Sequence, residues 1–283
     1  MANAFAMIDS FKEQKKANDD VKKLRTAVNN AQKESLMVIG NNSDWGNHKM
    51  QDQDKFTFEF VDANINTGFL EVSTFGMPMV NNRYLQPQIF KTLEEAEQYA
   101  EDFSRPKPSS QVAFLVYVHK FEPGPKEREF RASIAGKVNK SGNPYKTIEE
   151  VIESKQGQLA ILKTGAFNGT MITNARDTYD GLEGNVFIWR REGATKDDTK
   201  YGLNLLPDKV LAKQGITALS EMPKKDRKEL QAQIDAVDIE AELFPEGFEE
   251  LRNSVIAKES KNFAKAIDSR KATETSAAKV WGA

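Results

Sequence analysis

The chain contains no cysteine and only two histidines among its 283 residues. The absence of cysteine excludes disulfide bonds, thiolate zinc sites, iron–sulfur clusters and cysteine nucleophiles. His48 lies in a polar segment and His119 near the end of an apolar run, and neither has the sequence neighbours of a catalytic or metal-binding histidine. We therefore expect no cofactor, no metal and no enzymatic activity.

Phosphate-binding loops and catalytic acid pairs are also missing as recognisable motifs. The glycine-rich segments lack the spacing of a P-loop, and no glycine fingerprint follows a strand and opens a helix. Asp177, Asp180 and Glu183 lie near one another in the sequence, but acids in turns usually serve the turn itself. A metal-dependent nucleic-acid enzyme is therefore kept as the third hypothesis.

No apolar run approaches the roughly 20 residues that a membrane-spanning helix needs. Near the N-terminus, Lys12, Glu13, Lys15 and Lys16 interrupt any apolar core of a signal peptide. We expect a soluble protein with no membrane partner. Its expected location is the cytoplasm, which is the host cell cytoplasm if the protein is viral.

Charged residues make up 29% of the chain and hydrophobic residues 39%, which are above and below the usual shares. A compact centre with polar helical ends explains both values. We predict an α+β protein with a mainly antiparallel central β-sheet, an N-terminal helix and a helical C-terminal region. The predicted parts are an N-terminal helix and linker (1–50), a β-rich core domain (51–207), a helical C-terminal region (208–271) and a disordered tail (272–283).

Alternating apolar residues predict the first strand of the core domain. Phe56, Phe58 and Phe60 share one face of the first strand; such a stripe is a stacking platform for bases or, more typically, the core face of a sheet. A turn at 62–68 and a partner strand at 69–75 are predicted to follow. Further strands are predicted at 77–84, 159–163, 185–191 and 200–206, and the capping boxes at 92–95 and 147–150 predict two helix starts.

The stretch 111–146 is predicted to form a hairpin at the centre of the chain. Its apolar run, 112–118, is typical of a strand buried on both faces. Pro123 and Pro125 cannot donate to a strand ladder, so the turn is placed there. Alternation in the following residues predicts a return strand at 129–134, and a basic loop continues to Lys146.

This hairpin and loop are more basic than the rest of the chain. From Lys126 to Lys146 there are six basic and two acidic side chains, although the net charge of the protein is −2. Cations beside aromatic rings are the elements of a single-strand-binding surface, whereas solvated cations and core aromatics are the alternative interpretation. Candidate nucleic-acid-binding residues are Lys126, Arg128, Arg131, Lys137, Lys140, Tyr145 and Lys146, together with Trp189, Arg190, Arg191, Arg83 and Tyr84.

In its size, absence of cysteine, β-rich body from Lys55 to Leu206 and charged helical ends, the chain resembles the early single-stranded-DNA-binding regulators of tailed lytic bacteriophages. The resemblance implies that coating of single-stranded DNA is coupled to recruitment of a phage RNA polymerase. We predict sequence-tolerant binding of single-stranded DNA in viral replication or transcription, by a homo-oligomer. The alternative is a structural or assembly protein that self-associates through its ends, because residues 235–250 contain seven acids and 252–271 six bases.

Overall fold

A computed structural model of the protein describes residues 16, 19–20, 22–24, 26–28, 30, 36–40, 48–61, 66–72, 88–103, 105–139, 141–194, 198–244, 246–250 and 253. The chain divides into two compact units, one formed by Ser35–Glu242 and the other by Met1–Glu34 with Leu243–Ala283. The larger unit extends beyond the predicted core domain, 51–207, at both ends. The predicted strand at 77–84 and the predicted tail lie outside the described residues.

The smaller unit contains the predicted N-terminal helix. Its described residues between Lys16 and Asn30 are helical, and Val28 is buried there. Gly247 approaches Leu24 and Val28 closely enough that an added Cβ would touch both side chains. An apolar contact thus holds this helix within its own unit.

The larger unit is built on one nine-stranded, mixed sheet in the order β2-β1-β7-β6-β3-β8-β9, with β4 beside β6 and β5 beside β4. Strand β1 runs parallel to β2 and β7, and the other pairs are antiparallel, which confirms the α+β class. The strands are β1 Met37–Gly40, β2 His48–Lys49, β3 Lys55–Phe60, β4 Asn66–Val72, β5 Gln88–Phe90, β6 Ser109–Glu122, β7 Gln158–Gly165, β8 Val186–Glu192 and β9 Lys200–Leu205. The helices are α1 Leu93–Asp102, α2 Pro125–Ile134, α3 Ile148–Glu153, α4 Ala166–Thr178, α5 Asp208–Gln214, α6 Lys224–Asp235 and α7 Ile239–Leu243, with a short 3-10 helix at Leu219–Glu221.

Strand β6 is fourteen residues long and pairs along both of its edges. One edge is covered by β7. The other edge is shared end to end, since β4 pairs with its first half and β3 with its second half. The predicted hairpin of β3 with the next strand is therefore wrong, and residues 66–68, predicted as a turn, are already strand. A long central strand satisfies the backbone of two shorter strands without a reversal between them.

The core lies on the sheet face that α3 and α4 cover. Phe56, Phe58 and Phe60 are all buried there, together with Ile172 of α4 and Val151 of α3. The structural interpretation of the phenylalanine stripe is therefore confirmed. On the opposite face, α5 covers the start of β8 through a second apolar cluster of Val186, Leu206, Leu211 and Ala218.

The predicted return strand at 129–134 is wrong, because this segment is the helix α2. Gly124 caps the helix and Pro125 occupies its first turn, where a missing N–H costs no hydrogen bond. Glu127 and Arg131 form an ion pair at i,i+4 spacing, 2.8 Å from Oε1 to Nε, which supports a helix and has no equivalent along a strand. The two prolines end β6 but do not turn it back as a strand.

Other sequence predictions are confirmed. Thr92 accepts a hydrogen bond from Glu95 N–H at the start of α1, and Thr147 and Glu150 form a complete capping box on α3. Strands β7, β8 and β9 lie close to the segments predicted as strands, 159–163, 185–191 and 200–206. Among the described helices, none has both the length and the apolar character needed to cross a membrane.

The junction between β6 and α2 is closed by a buried carboxylate. Asp54 is fully buried, and its side chain accepts hydrogen bonds from Gly124 N–H and Gln51 N–H, both at 2.7 Å. A Cβ added to Gly124 would overlap the Asp52 carbonyl oxygen, so this close approach requires glycine.

We expect Gly124→Ala to destabilise the protein by about 1–3 kcal/mol, because the backbone of the 51–54 loop must move to admit a methyl group. Urea denaturation measures the loss. Gly68→Ala is the matched control in β4, where the nearest atom would be 3.9 Å away. Equal stability of the two variants would contradict the close approach at Gly124.

Candidate nucleic-acid interface

The basic segment, Pro125–Lys146, contains helix α2 and the loop that follows it. No residue of α2 is buried. Glu127, Arg131 and Ile134 are half-buried on its inner side, whereas Lys126 and Phe130 are exposed. The helix therefore adds little to the core, and its outer face is open to a ligand.

The loop after α2 is a small ordered hairpin. Val138 and Pro144 form a β-bridge, and Tyr145 N–H donates to Lys137 O at 3.2 Å. The side chain of Asn139 accepts from Ser141 N–H and Asn143 N–H, at 2.8 and 3.1 Å. Gly142 has a positive φ of 81°, which suits glycine. These bonds place the lysine of one strand directly beside the tyrosine of the other.

Exposed apolar side chains are concentrated in the basic segment. Five large hydrophobic residues are exposed in the described part of the chain, and Phe130, Val138 and Tyr145 are three of them, at 49, 59 and 39%. Within the described residues, no carboxylate forms an ion pair with Lys126, Lys137 or Lys146. The guanidinium of Arg131 lies 5.4 Å from the centre of the Phe130 ring. Exposed rings and cations thus occur together in this segment.

Charged residues on the inner side of α2 lie near the buried lysine Lys155. Lys155, just after α3, places Nζ 4.7 Å from the centre of the Phe121 ring. Burial lowers the pKa of Lys155 to about 8, although the charges of Glu127 and Asp54 act in the opposite direction. At neutral pH Lys155 is therefore charged in a buried position, which destabilises the folded protein.

A second group of cations, here named the sheet-end cluster, lies where β3 begins and where β6 and β8 end. It consists of Lys55, Lys120 and Arg190, whose side chains are 45, 37 and 46% exposed. Lys55 pairs across the sheet with both Glu122 and Arg190. Strand pairing therefore brings together cations that are far apart in the sequence.

Two acids partly compensate the sheet-end cluster. Glu122 lies 2.5 Å from Lys120 Nζ and 3.8 Å from Lys55 Nζ, and Glu192 lies 3.1 Å from Arg190. The hydrogen bond from Lys120 is the main cause that lowers the pKa of Glu122, and the charge of Arg128 also contributes. Nε of Arg128 donates to the Pro123 carbonyl at 3.0 Å, just after the end of β6. Sequence reasoning missed Lys55 and Lys120, since nothing in their local pattern shows which strands are neighbours.

Trp189 and Arg191, both candidate residues, lie inside the protein. The ring of Trp189 is 1% exposed and stacks on Tyr201 at 5.5 Å. The guanidinium of Arg191 donates to the Met50 carbonyl and to Thr199 Oγ1. Trp189 and Arg191 lie on the same face of β8 and are only 1 and 9% exposed, so we exclude both from the interface.

His119 has a structural partner. The pairing register shifts between Thr57 and Phe58, which leaves His119 as the extra residue of a bulge in β6. Its Nε2 lies 2.9 Å from Oε1 of the buried Glu59, and the same oxygen accepts from Leu219 N–H at 2.8 Å. The pair fixes the 3-10 helix on the sheet. No cluster of three or more potential metal ligands occurs among the described residues.

Three candidates, Lys140, Arg83 and Tyr84, lie outside the described residues. Comparison with protein-family models and with curated proteins finds no match to this sequence. Function must therefore be inferred from the surface chemistry of the described residues. There, the basic segment contains the candidates Lys126, Arg128, Arg131, Lys137, Tyr145 and Lys146, of which Arg131 is ion-paired with Glu127, and Arg190 lies in the sheet-end cluster.

The pKa of Lys155 predicts a specific pH dependence of stability. Its value is about 8 in the folded protein against an ordinary 10.5, so the unfolded chain binds the extra proton between these values. Below pH 8 the buried charge of Lys155 lowers the free energy of unfolding by its full amount, roughly 3 kcal/mol. This loss is relieved as the pH rises towards 10.5.

We expect Lys155→Met to remove this dependence. The difference in unfolding free energy, wild type minus variant, should increase between pH 8 and 10.5, as measured by urea titrations at several pH values. Lys225→Met, an exposed lysine of α6, is the control and should give a constant difference. A constant difference for Lys155→Met would show that the lysine is not desolvated.

Proposed function

We propose that the protein binds single-stranded DNA, with little dependence on base sequence, through the basic segment. The observation that carries the proposal is the coincidence of exposed Phe130 and Tyr145 with cations that lack acidic partners. Nucleic-acid bases offer flat faces that stack on exposed aromatic rings. Bases within a duplex are already stacked, so the rings favour a single strand.

The two kinds of side chain have different roles. Lys126 and Phe130 are one helical turn apart on the outer face of α2, and Lys137 is bonded beside Tyr145 in the hairpin. Each ring therefore has a lysine next to it, which suits a repeating unit of base and phosphate. Lysine ammonium groups attract any phosphate, whatever base it carries. This combination supports sequence-tolerant binding.

The sheet-end cluster is proposed to extend the same path. The side chain of Arg128 donates to the carbonyl of Pro123, which follows Glu122 in the chain, and Lys55 pairs with both Glu122 and Arg190. A strand of DNA bound to α2 thus has further cations to contact along the end of the sheet. In this arrangement stacking depends on Phe130 and Tyr145, and Trp189 has no part in it.

The biological setting is proposed on the resemblance alone. It comprises action in viral replication or transcription, recruitment of an RNA polymerase, and a location in the cytoplasm of the host cell. None of these depends on the geometry of the basic segment, so the binding proposal can be tested without them.

Removal of Lys137 and Lys146 together should weaken the salt dependence of binding. For single strands the slope of log affinity against log salt is about −0.7 per neutralised phosphate, so the double alanine variant should have a slope smaller in magnitude by about 1.4. Fluorescence anisotropy with labelled oligonucleotides at several salt concentrations measures the slope. The loss should be similar for oligonucleotides of different sequence.

The matched control replaces Lys224 and Lys228 of α6 with alanine. Both are exposed lysines, and their removal changes the net charge of the protein by the same amount. A slope that falls equally in both double variants would indicate general electrostatic attraction. Failure of the wild-type protein to retain any oligonucleotide at low salt would refute the proposed function.

Aromatic stacking gives a separate prediction at Tyr145. Tyr145→Ala should reduce affinity by about 1–3 kcal/mol, which corresponds to one lost base–ring contact, whereas Tyr145→Phe should retain most of it. The measurement is the same anisotropy titration at high salt, where phosphate contacts are screened. Equal affinities of the alanine and phenylalanine variants would show that no base stacks on this ring.

A further inference from the structure

The described strands leave three ends of the sheet without a further partner, at β2, β5 and β9. Strands β2 and β5 are two and three residues long, and such short edges offer little backbone to another chain. Strand β9 has six residues, Lys200–Leu205. It contains no proline, and its pairing with β8 continues in register from end to end. The usual protections of an edge strand are thus absent from β9, apart from one charge at Lys200.

The open edge of β9 presents a regular row of backbone groups. Leu206 N–H donates to Val186 O, and Arg191 N–H donates to Asp54 O. On β8, therefore, even-numbered residues bond towards β9 and odd-numbered residues towards β3. It follows that on β9 the N–H and C=O groups of Tyr201, Leu203 and Leu205 point away from β8. Within the described part of the chain, no hydrogen bond reaches them.

We propose that β9 is a self-association edge, on which the β9 strand of a second copy of this chain adds antiparallel to continue the sheet. A two-fold axis at Leu203 places Leu203 opposite the partner's Leu203 and Tyr201 opposite the partner's Leu205. All three positions lie on the apolar side of the strand, where Leu203 and Leu205 pack against the core. An isologous pair of this kind closes on itself and gives a dimer with no free β9 edge.

The charges of β9 favour its own copy as the occupant. Lys200 is the sole charged residue of the strand and lies at one end. The antiparallel arrangement puts the two copies of Lys200 at opposite ends of the paired strands, so that like charges do not meet. A parallel arrangement would align them and would also leave an open edge on which further copies could add.

The dimer has a consequence that rests on the proposed function. A two-fold axis perpendicular to the sheet keeps the same face of both sheets on one side. Strands β8 of the two copies would be three strand spacings apart, about 14 Å, and each carries Arg190 on that face. Two sheet-end clusters would thus lie on one surface, and a single DNA strand could contact both.

The test replaces Leu203 in the full-length protein with proline and, as a matched control, with alanine. Proline removes an N–H that β8 does not use, whereas both variants lose the same side-chain packing. In analytical ultracentrifugation without nucleic acid, wild type and Leu203→Ala should be dimers and Leu203→Pro a monomer. Circular dichroism should be the same for both variants. A monomeric wild type, or a dimer that persists in Leu203→Pro, would overturn the proposal.

Hydrogen exchange of the wild-type protein gives a second readout that needs no variant. The amides of Tyr201, Leu203 and Leu205 should exchange more slowly as protein concentration rises, whereas those of the exposed β4 residue Gly68 should not change. Exchange independent of concentration would also overturn the proposal. The two proposals fail separately: a dimer that retains no oligonucleotide refutes DNA binding alone, and a monomer that binds oligonucleotide refutes self-association alone.

Discussion

The hydrogen-bond requirement of one long strand, β6, organises the larger unit. Fourteen residues of extended backbone need partners along both edges, because buried N–H and C=O groups are costly when left unpaired. Strand β7 supplies one edge, while β3 and β4 divide the other between them. The position of β8, and through it β9, is then set by β3. Both the sheet-end cluster and the open edge of β9 follow from this arrangement.

The end of β6 also determines where the basic segment leaves the sheet. Pro123 and Pro125 cannot continue the ladder, and Asp54 binds the backbone of Gly124 between them. The chain therefore departs at a fixed point and continues as a helix that buries none of its residues. The rings of Phe130 and Tyr145 and the described lysines of the segment therefore remain exposed and do not join the core.

Local patterns in the sequence predicted individual helices and strands better than they predicted which strands lie side by side. The capping box at Thr147 and the apolar runs of β7 and β8 are features of adjacent residues, and the elements predicted from them were confirmed. The alternation of Phe130, Ala132 and Ile134 was misleading, because the i,i+4 pair of Glu127 and Arg131 favours a helix in the same stretch. Strand order was inaccessible for a different reason: the pairing of β3 with β8 joins segments separated by most of the core domain, and no local signal encodes it.

The absence of a local signal for neighbouring elements also explains why one aromatic candidate is buried and the other is exposed. Trp189 and Tyr145 both lie beside basic residues in the sequence, yet one is in the core and the other is exposed. The difference comes from the face that carries each ring: Trp189 lies on the face of β8 that packs in the core cluster with Phe187 and Ile172, whereas the hairpin around Tyr145 has its main bonds within itself. The neighbouring residue Arg190 lies on the other face of β8 and is exposed. Exposure therefore depends on what covers each face of an element, and it separates a stacking platform from a core residue of the same type.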